Sequence, residues 1–385
     1  MKLVLATPIY PPEIGGPATY VEELCSRMGN DHELTIVAYT DVKKASPNTK
    51  LISISKRNPL PIRLLKFLFA LIRVSKEADI IYVQNAMAAG LPVAINKIIT
   101  GKPFIVKFVG DEAWERASQA RRTTKSLQEF LRKPDGGLKS RAMMSIQKFV
   151  MTQASMVTTP SAYLREEILK AYKLSPQKVV TNYNASEKPQ ILPFQDKVNE
   201  FQIITVVRLV KWKGVDGIIQ ALVEAQKHFP QATLVVAGDG PEMENLKSLS
   251  KELNIDKSVK FLGNISKAEV WQLSKSSGIS ILNSTYEGLP HTVLNNFAAE
   301  IPTIATDIPG TNEVVYDEKT GLLIKPGDSL ALARAIERLF TDDILREELT
   351  KNGLKLLGEK FSWESHIRNL KSIIESVLSV PSNKF

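Results

Sequence analysis

The sequence predicts an α/β protein of two domains, each built on a parallel sheet. Three observations predict it. The chain has 385 residues, and at about 150 residues per domain that length gives two to three domains. Short apolar runs alternate with amphipathic helical stretches along its whole length, the pattern of strand–helix–strand units. The alternation breaks once, in the polar and non-periodic stretch 183–200, and then starts again. A stretch of that kind marks a domain boundary.

In the first half, strands are predicted at Lys2–Ala6, Glu33–Ala38, Ile80–Val83, Phe104–Phe108, Met156–Thr159 and Lys178–Thr181, each a short apolar run bounded by charged or turn-forming residues. Between them, apolar residues at helical spacing predict helices at Ala18–Met28, Pro61–Lys76, Pro92–Thr100, Leu138–Thr152 and Ala162–Tyr172. The second half predicts strands at Gln202–Val207, Thr233–Ala237, Val259–Leu262, Ile279–Leu282, Thr303–Thr306 and Gly321–Ile324. Its helices are predicted at Val215–His228, Pro241–Leu253, Lys267–Lys275, Thr292–Ala299, Ser329–Phe340, Asp342–Phe361 and Trp363–Leu378. Two such units put a deep cleft between them, and ligands of open α/β sheets bind outside the carboxyl ends of the strands.

Composition excludes other classes. The chain is 43% hydrophobic and 24% charged, which rules out disorder, collagen and disulfide scaffolds. Its one cysteine, Cys25, forms no intramolecular disulfide and favours a reducing compartment. The apolar start Met1–Ala6 runs straight into Pro8, so it reads as a first strand and not as a signal-peptide core. No apolar window approaches the ~20 residues of a membrane-spanning helix. The net charge of +9 is unevenly spread: residues 1–190 hold 28 Lys/Arg against 16 Asp/Glu, a net of +12, and the rest hold 22 against 25, a net of −3. A basic half implies a polyanionic partner, whether nucleic acid, an anionic membrane surface or a phosphorylated acceptor.

Five segments could carry chemistry. Pro8-Ile9-Tyr10-Pro11-Pro12-Glu13-Ile14-Gly15-Gly16-Pro17 joins a strand to a helix; its glycines would let backbone approach a ligand, or simply make a tight turn. Arg208 and Lys213 follow a strand end, a planar fork and a point charge suited to a diphosphate, or two solvated cations. Gly238-Asp239-Gly240-Pro241 is a strand-to-helix turn whose glycines could also open a path for a ligand. Glu287 follows a buried strand, and Gly288, Leu289 and Pro290 lead into a helix whose first N–H groups, around His291–Val293, favour an anion. Ionised, Glu287 accepts hydrogen bonds only, which suits sugar hydroxyls; the alternative is a helix-capping acid. In Lys107–Arg116, Asp111 and Glu112 are candidate acid, base or acceptor groups beside Trp114, with capping of the next helix as the alternative for Asp111.

The basic stretches come next. Residues 116–150 carry nine Lys/Arg against two Asp/Glu, and the helix predicted at Pro61–Lys76 spaces cations at 63, 66, 73 and 76 on one face. A basic amphipathic helix can lie in a membrane interface; the alternative is an ordinary surface helix packed on its sheet. Aromatic residues rarely interleave with these cations, which argues against single-stranded nucleic acid. The four histidines, His32, His228, His291 and His366, are scattered, and no metal-ligand cluster, nucleophile elbow or Walker loop is present in the sequence.

Taken in order, these segments resemble the retaining glycosyltransferases of family 4, and the match runs nearly the full length. The Gly15-Gly16 loop resembles that family's amino-terminal glycine loop. Arg208-Leu209-Val210-Lys211-Trp212-Lys213-Gly214 follows its Arg-Leu-x-x-x-Lys-Gly pattern. Gly238-Asp239-Gly240-Pro241, Phe261-Leu262-Gly263, Tyr286-Glu287-Gly288-Leu289-Pro290, Pro309-Gly310-Thr311-Asn312-Glu313 and Thr320-Gly321-Leu322-Leu323 complete the series. Three positions depart from the pattern: Asn295 stands where the second Glu of Glu-x7-Glu is usual, Val109 where many members carry His, and Glu300 where Gly is usual.

The resemblance implies a GT-B fold, two Rossmann-like domains facing across a cleft, over 1–185 for the acceptor and 195–363 for the donor, with a helix at about 364–385 packing back on the first. It implies a metal-independent retaining hexosyltransferase with no cofactor, moving a sugar from a nucleotide-sugar to a saccharide or lipid-linked acceptor in glycan or glycolipid synthesis. Arg208 and Lys213 would grip the diphosphate, Glu287 the sugar hydroxyls, and Asp111 would stand in for the missing histidine. Gly15, Gly16, Gly240, Leu262, Asn264, Gly288, Leu289, Pro290, His291, Thr292 and Asn295 would line the donor; Tyr10, Asn85, Glu112 and Trp114 would face the acceptor. The basic half is then expected at an anionic inner membrane face of the cytoplasm and not on nucleic acid. Two other readings are a non-catalytic nucleotide-sugar-binding protein and a nucleotide-sugar epimerase of the same fold.

Overall fold

The computed structural model describes residues 1–13, 15–188 and 198–379. The chain divides into two compact units, Met1–Asn182 with Ile367–Phe385, and Tyr183–His366. Part of the predicted boundary stretch, 189–197, and the end of the predicted last helix, 380–385, lie outside the described residues.

Unit 1 contains strands β1 (Lys2–Thr7), β2 (Glu33–Tyr39), β3 (Thr49–Ile54), β4 (Ile80–Val83), β5 (Phe104–Lys107), β6 (Met156–Thr159) and β7 (Val179–Thr181). They form one seven-stranded sheet in the order β3-β2-β1-β4-β5-β6-β7, with every pair parallel. Helices α1 (Gly16–Met28), α2 (Leu60–Ser75), α3 (Gly90–Thr100), α4 (Glu112–Gln119), α5 (Leu127–Arg132), α6 (Gly137–Gln153) and α7 (Ala162–Tyr172) connect them. A strand covered on both faces is apolar throughout instead of alternating; accordingly Leu3, Val4, Leu5 and Ala6 of β1 are all buried, as is the whole of β4.

Unit 2 repeats the plan with β8 (Asn199–Val206), β9 (Thr233–Ala237), β10 (Val259–Gly263), β11 (Ser277–Leu282), β12 (Thr303–Thr306) and β13 (Leu322–Ile324). These make a six-stranded parallel sheet in the order β10-β9-β8-β11-β12-β13. Its helices are α8 (Val215–Ala225), α9 (Met243–Glu252), α10 (Lys267–Ser276), α11 (His291–Ala299), α12 (Pro309–Asn312), α13 (Ser329–Thr341) and α14 (Asp343–Lys360). One apolar core runs from Ile203 to Phe361 beneath them. Both sheets are doubly wound, and each reverses direction once: between β1 and β4 in unit 1, and between β8 and β11 in unit 2. The crevice at such a reversal is where open α/β sheets bind ligands.

The last helix, α15 (Trp363–Leu378), begins in unit 2 and continues in unit 1 from Ile367. Its buried residues Ile367, Leu370, Ile374 and Val377 recur at helical spacing, and Lys371 Nζ donates to Asp31 Oδ2 at 3.2 Å.

Strand β3 and helices α4, α5 and α12 are absent from the sequence-based element list. The edge strand β3 has only Ile54 fully buried, so its apolar signal is half that of a central strand. Helices α5 and α12 span six and four residues, too short for periodicity to show; α5 instead carries a complete Ser126–Glu129 capping box.

Candidate functional site

In unit 2 the reversal point brings together the loops after β8 and β11. The loop after β8 carries Arg208 and Lys213, and the loop after β11 carries Glu287. Lys213 Nζ donates to Glu287 Oε1 at 2.6 Å, and Ser284 Oγ donates to the same oxygen at 2.6 Å. The two charged side chains are only 18% and 10% exposed, so water screens this pair less than a surface pair. The structure thus joins two residues 74 positions apart into one neutral, hydrogen-bonded unit.

Backbone clamps hold that unit in place. Thr285 N–H donates to Trp212 O at 2.8 Å and Asn283 Nδ2 to Gly214 O at 2.8 Å. Gly214 has φ +60°, and a Cβ there would stand 2.2 Å from Asn283 O, so only glycine lets the Lys213 loop lie against the end of β11. From the other side, Thr306 Oγ1 donates to Ser284 O. A Cβ on Gly310 of α12 would stand 2.0 Å from Glu287 O.

Arg208 is exposed at the end of β8. Its neighbours are fixed: Val207 N–H bonds Ala237 O and Leu209 N–H bonds Asp239 O, each at 3.0 Å. This explains the Gly-Asp-Gly turn differently from the ligand-path expectation. A Cβ on Gly238 would stand 1.9 Å from Val207 O and one on Gly240 2.3 Å from Leu209 O. The backbone of the Arg208 loop therefore requires both glycines, Gly240 included, without any ligand.

Helix α11 starts at His291 behind Pro290, and no side chain caps it. Its amino end carries the positive pole of the helix dipole with no acidic residue in its first turn. Gly288 is half-buried and His291 exposed beside it. Leu289 and Pro290 are buried, so what they can offer a ligand is backbone. Thr292 Oγ1 donates to Val206 O at 3.0 Å; the hydroxyl fastens α11 to β8. Asn295, exposed one turn on, accepts from Ser186 Oγ at 2.7 Å. On β10, Leu262 is half-buried and Asn264 is exposed just past Gly263, whose carbonyl accepts Gly238 N–H at 2.8 Å.

In unit 1, Gly16 is exposed and a Cβ on it would meet open space, while one on Gly15 would meet Ile9 Cδ1 at 2.6 Å. Asn85 and Glu112 do come together: Asn85 Nδ2 donates to Glu112 Oε1, Asn85 Oδ1 accepts Met87 N–H at 2.7 Å, and Arg116 donates to Glu112 Oε2 at 3.0 Å.

Two acceptor-side candidates, Tyr10 and Trp114, and the catalytic candidate Asp111 turn inward, against expectation. Tyr10 is buried, its hydroxyl holding Ser46 Oγ at 2.8 Å and accepting Ser46 N–H at 2.9 Å. Trp114 is buried, its indole N–H donating to Lys125 O at 2.9 Å. Asp111 is 1% exposed. It caps α4 by accepting Trp114 N–H at 2.9 Å, and it also accepts from Gln147 Nε2 at 3.0 Å and from the Tyr172 hydroxyl. Burial raises the Asp111 pKa against the pull of those donors. Its oxygens are occupied, so it takes the capping role and does not replace a histidine; Val109, the position in question, is an apolar side chain 45% exposed.

Ser284, Asn283 and Gly310 complete the site without standing among the candidates. The first two directly follow the wholly buried strand β11, and polar residues in that position are the signal that could have found them. Among the described residues no group of three or more His, Cys, Asp and Glu could hold a metal ion.

Comparison with known proteins agrees on fold and family. The family model "Glycosyl transferases group 1" matches residues 187–356, and "Glycosyltransferase Family 4" matches residues 14–186. An uncharacterized glycosyltransferase of Methanocaldococcus jannaschii is 24% identical over 98% of this chain and 99% of its own length. The lipopolysaccharide core biosynthesis glycosyltransferase LpsD of Rhizobium meliloti is 34% identical over 44% of this chain. In such shorter matches the chain spans 45% to 61% of the curated relative's length. The crystal structure of Anabaena HepE in complex with UDP and glucose superposes with a TM-score of 0.76, 18% identity, and coverage of 98% of this chain and 100% of that one.

Proposed function

We propose that this chain, which belongs to the group 1 glycosyl transferases and carries a Glycosyltransferase Family 4 amino-terminal half, transfers a hexose from a nucleotide-sugar to a saccharide or lipid-linked acceptor with retention of configuration and without a metal. The observation that carries the reading is the Lys213–Glu287–Ser284 unit at the reversal point of unit 2. A diphosphate entering there draws Lys213 and Arg208 to its oxygens and meets the uncapped start of α11. Glu287, relieved of the lysine, turns its acceptor oxygens to the sugar hydroxyls. Preorganised cations and helix N–H groups then stabilise charge as it grows on the leaving diphosphate. Retention follows if the acceptor hydroxyl attacks on the face the diphosphate leaves, handing its proton to the departing phosphate oxygen. HepE was crystallised with UDP and glucose, which supports a uridine diphosphate sugar as the first donor to try. LpsD is named for lipopolysaccharide core synthesis, which supports a glycan acceptor.

A thermal-shift screen against nucleoside diphosphates tests this. A donor nucleotide at a hundred times its Kd stabilises unit 2 by about 2.7 kcal/mol through mass action and raises the melting temperature. No shift with any nucleoside diphosphate would sink the proposal. Tight donor binding without nucleotide release in the presence of acceptors would favour the non-catalytic reading, and sugar isomerisation without acceptor the epimerase.

The same reading places unit 1 on an anionic membrane, and helix α2 supports it. Its inward face buries Phe67, Leu71 and Ser75, and Arg63 turns inward over the Tyr39 ring at 5.2 Å. Its outward face shows Ile62, Leu65 and Phe69, the last 67% exposed, beside exposed Lys66, Arg73 and Lys76; Ile98 and Ile99 of α3, which packs on α2, are exposed as well. Apolar side chains with flanking cations suit the boundary of headgroups and acyl chains. No helix among the described residues is long and apolar enough to cross a membrane. Leu65→Glu with Phe69→Glu is expected to weaken binding to phosphatidylglycerol vesicles, read by co-sedimentation, about thirtyfold, at roughly 1 kcal/mol per lost side chain. Equal sedimentation of wild type and variant would remove the membrane from the proposal.

A further inference from the structure

Unit 1 carries a buried lysine that nothing in the donor site uses. Lys107 ends β5 and is 5% exposed. Its surroundings follow from the sheet register. Tyr82 of β4 pairs with Ile105, and Lys107 pairs with Thr158 of β6. Alternate residues of a strand share a face, so Tyr82, Lys107 and Thr158 stand on one face. The Tyr82 hydroxyl and Thr158 Oγ1 lie 3.5 Å apart there. Helix α1 covers that face with Tyr20, whose hydroxyl is 3.2 Å from that of Tyr82 and whose ring centroid is 3.3 Å from Lys107 Nζ.

Gln84 completes the group. Its N–H continues the ladder to Ala6 O at 3.0 Å. It therefore falls on the Tyr82 face, opposite Lys107, one step beyond the Val83–Val106 pair. It is 3% exposed, and its Nε2 has no hydrogen-bond partner. A buried amide donor left unpaired is costly and rare in native proteins. A buried ammonium is costlier still, and the ring of a tyrosine offsets only part of that cost. Among the described residues no carboxylate pairs with Lys107, and burial pushes its pKa well below the usual lysine range.

Two donors without a hydrogen-bond acceptor therefore sit side by side at the carboxyl ends of β4 and β5, next to the reversal between β1 and β4. Both are buried, and the chain reaches the surface a short way along from them: Val109, two residues past Lys107, is 45% exposed, and Gly16, one helical turn before Tyr20, is exposed with open space above it.

We propose that Lys107 and Gln84 bind an oxyanion, a carboxylate or a phosphate ester carried by the acceptor substrate, with the Tyr20 ring holding the ammonium when the anion is absent. The proposal rests on the glycosyltransferase reading for the word acceptor, and on unit 1 alone for the anion. It accounts for a lysine where the apolar pattern of β5 calls for an aliphatic residue, and for an unpaired amide opposite it.

Titration calorimetry on the full chain tests it at fixed ionic strength, with glucuronate and glycerol 3-phosphate as probes and glycerol as the neutral control. One of the two anions binds and glycerol does not; which one binds separates a carboxylate from a phosphate. Lys107→Met weakens that binding roughly thirtyfold or more, the usual loss when one partner of a buried charge pair is removed. Gln84→Met weakens it about tenfold, and serves alone if the lysine variant does not fold. Lys107→Met is otherwise expected to melt no lower than wild type, because it removes an uncompensated buried amine; a purely structural lysine would lower it. Absence of binding by both anions, or binding unchanged in the variants, overturns the proposal. UDP binding measured alongside keeps the two readings apart: its loss in the wild type would count against the donor site and leave the anion result standing.

Discussion

Lys213→Ala and Glu287→Ala each lower turnover about a hundredfold to a thousandfold while the chain stays folded. That range is typical for removing one preorganised group that meets charge in the transition state. The variants differ in how they fail. Without Lys213, the diphosphate loses a cation both when bound and when leaving, so kcat/KM falls with a weakened donor affinity. Without Glu287, the sugar loses its acceptor, while Lys213 is free of its 2.6 Å partner and can hold nucleotide at least as well. UDP affinity should therefore fall in Lys213→Ala and hold or rise in Glu287→Ala. The double variant should lose less than the product of the single losses, as expected of groups that act as a unit. Wild-type turnover in either single variant would dissolve the site.

Asp111→Ala should act on stability instead. The substitution removes the cap of α4 and leaves the Tyr172 hydroxyl buried without its acceptor, while the Gln147 amide keeps its bond to that hydroxyl. Losing a cap costs about 1 kcal/mol, and an orphaned buried group about 1–3 kcal/mol. The sum, near 3 kcal/mol, corresponds to a fall in melting temperature of roughly 9 °C for a unit of this size. Asp111→Asn keeps one acceptor oxygen and should fall about half as far. The measurement is a thermal melt followed by turnover at a temperature where the variant is folded. A loss of turnover with an unchanged melting temperature would return Asp111 to the chemistry.

Much of this was legible in the sequence because the physics that writes it is local. Buried parallel strands are apolar runs, and the loops after β8 and β11 stand out because Arg208, Lys213 and Glu287 follow such runs directly. What could not be read was orientation. Tyr10 and Trp114 lie in loops and helix starts at the expected edge of the sheet, yet both turn inward, and only the fold decides which way an aromatic ring points. Gly240 follows a glycine pattern that serves a ligand equally well on paper; its need comes from Leu209 O, 31 residues away. Lys107 was hidden for a related reason. A lysine at a strand end is ordinarily a solvated charge, and its burial follows only from the neighbouring β4, β6 and α1. Edge strand β3 escaped because one covered face halves the hydrophobic signal.

Helix α15 has a consequence for how the chain is made. Unit 2 is a single continuous stretch, Tyr183–His366, whereas unit 1 needs Ile367, Leu370, Ile374 and Val377 from the far end of the sequence. On the ribosome, the amino-terminal unit emerges first but is finished last. It must wait, with the patch meant for α15 uncovered, while all of unit 2 is synthesised. Unit 2 can reach its final form while unit 1 is still incomplete, so a stalled or clipped chain ending before Ile367 would keep a folded unit 2 and an unsealed unit 1.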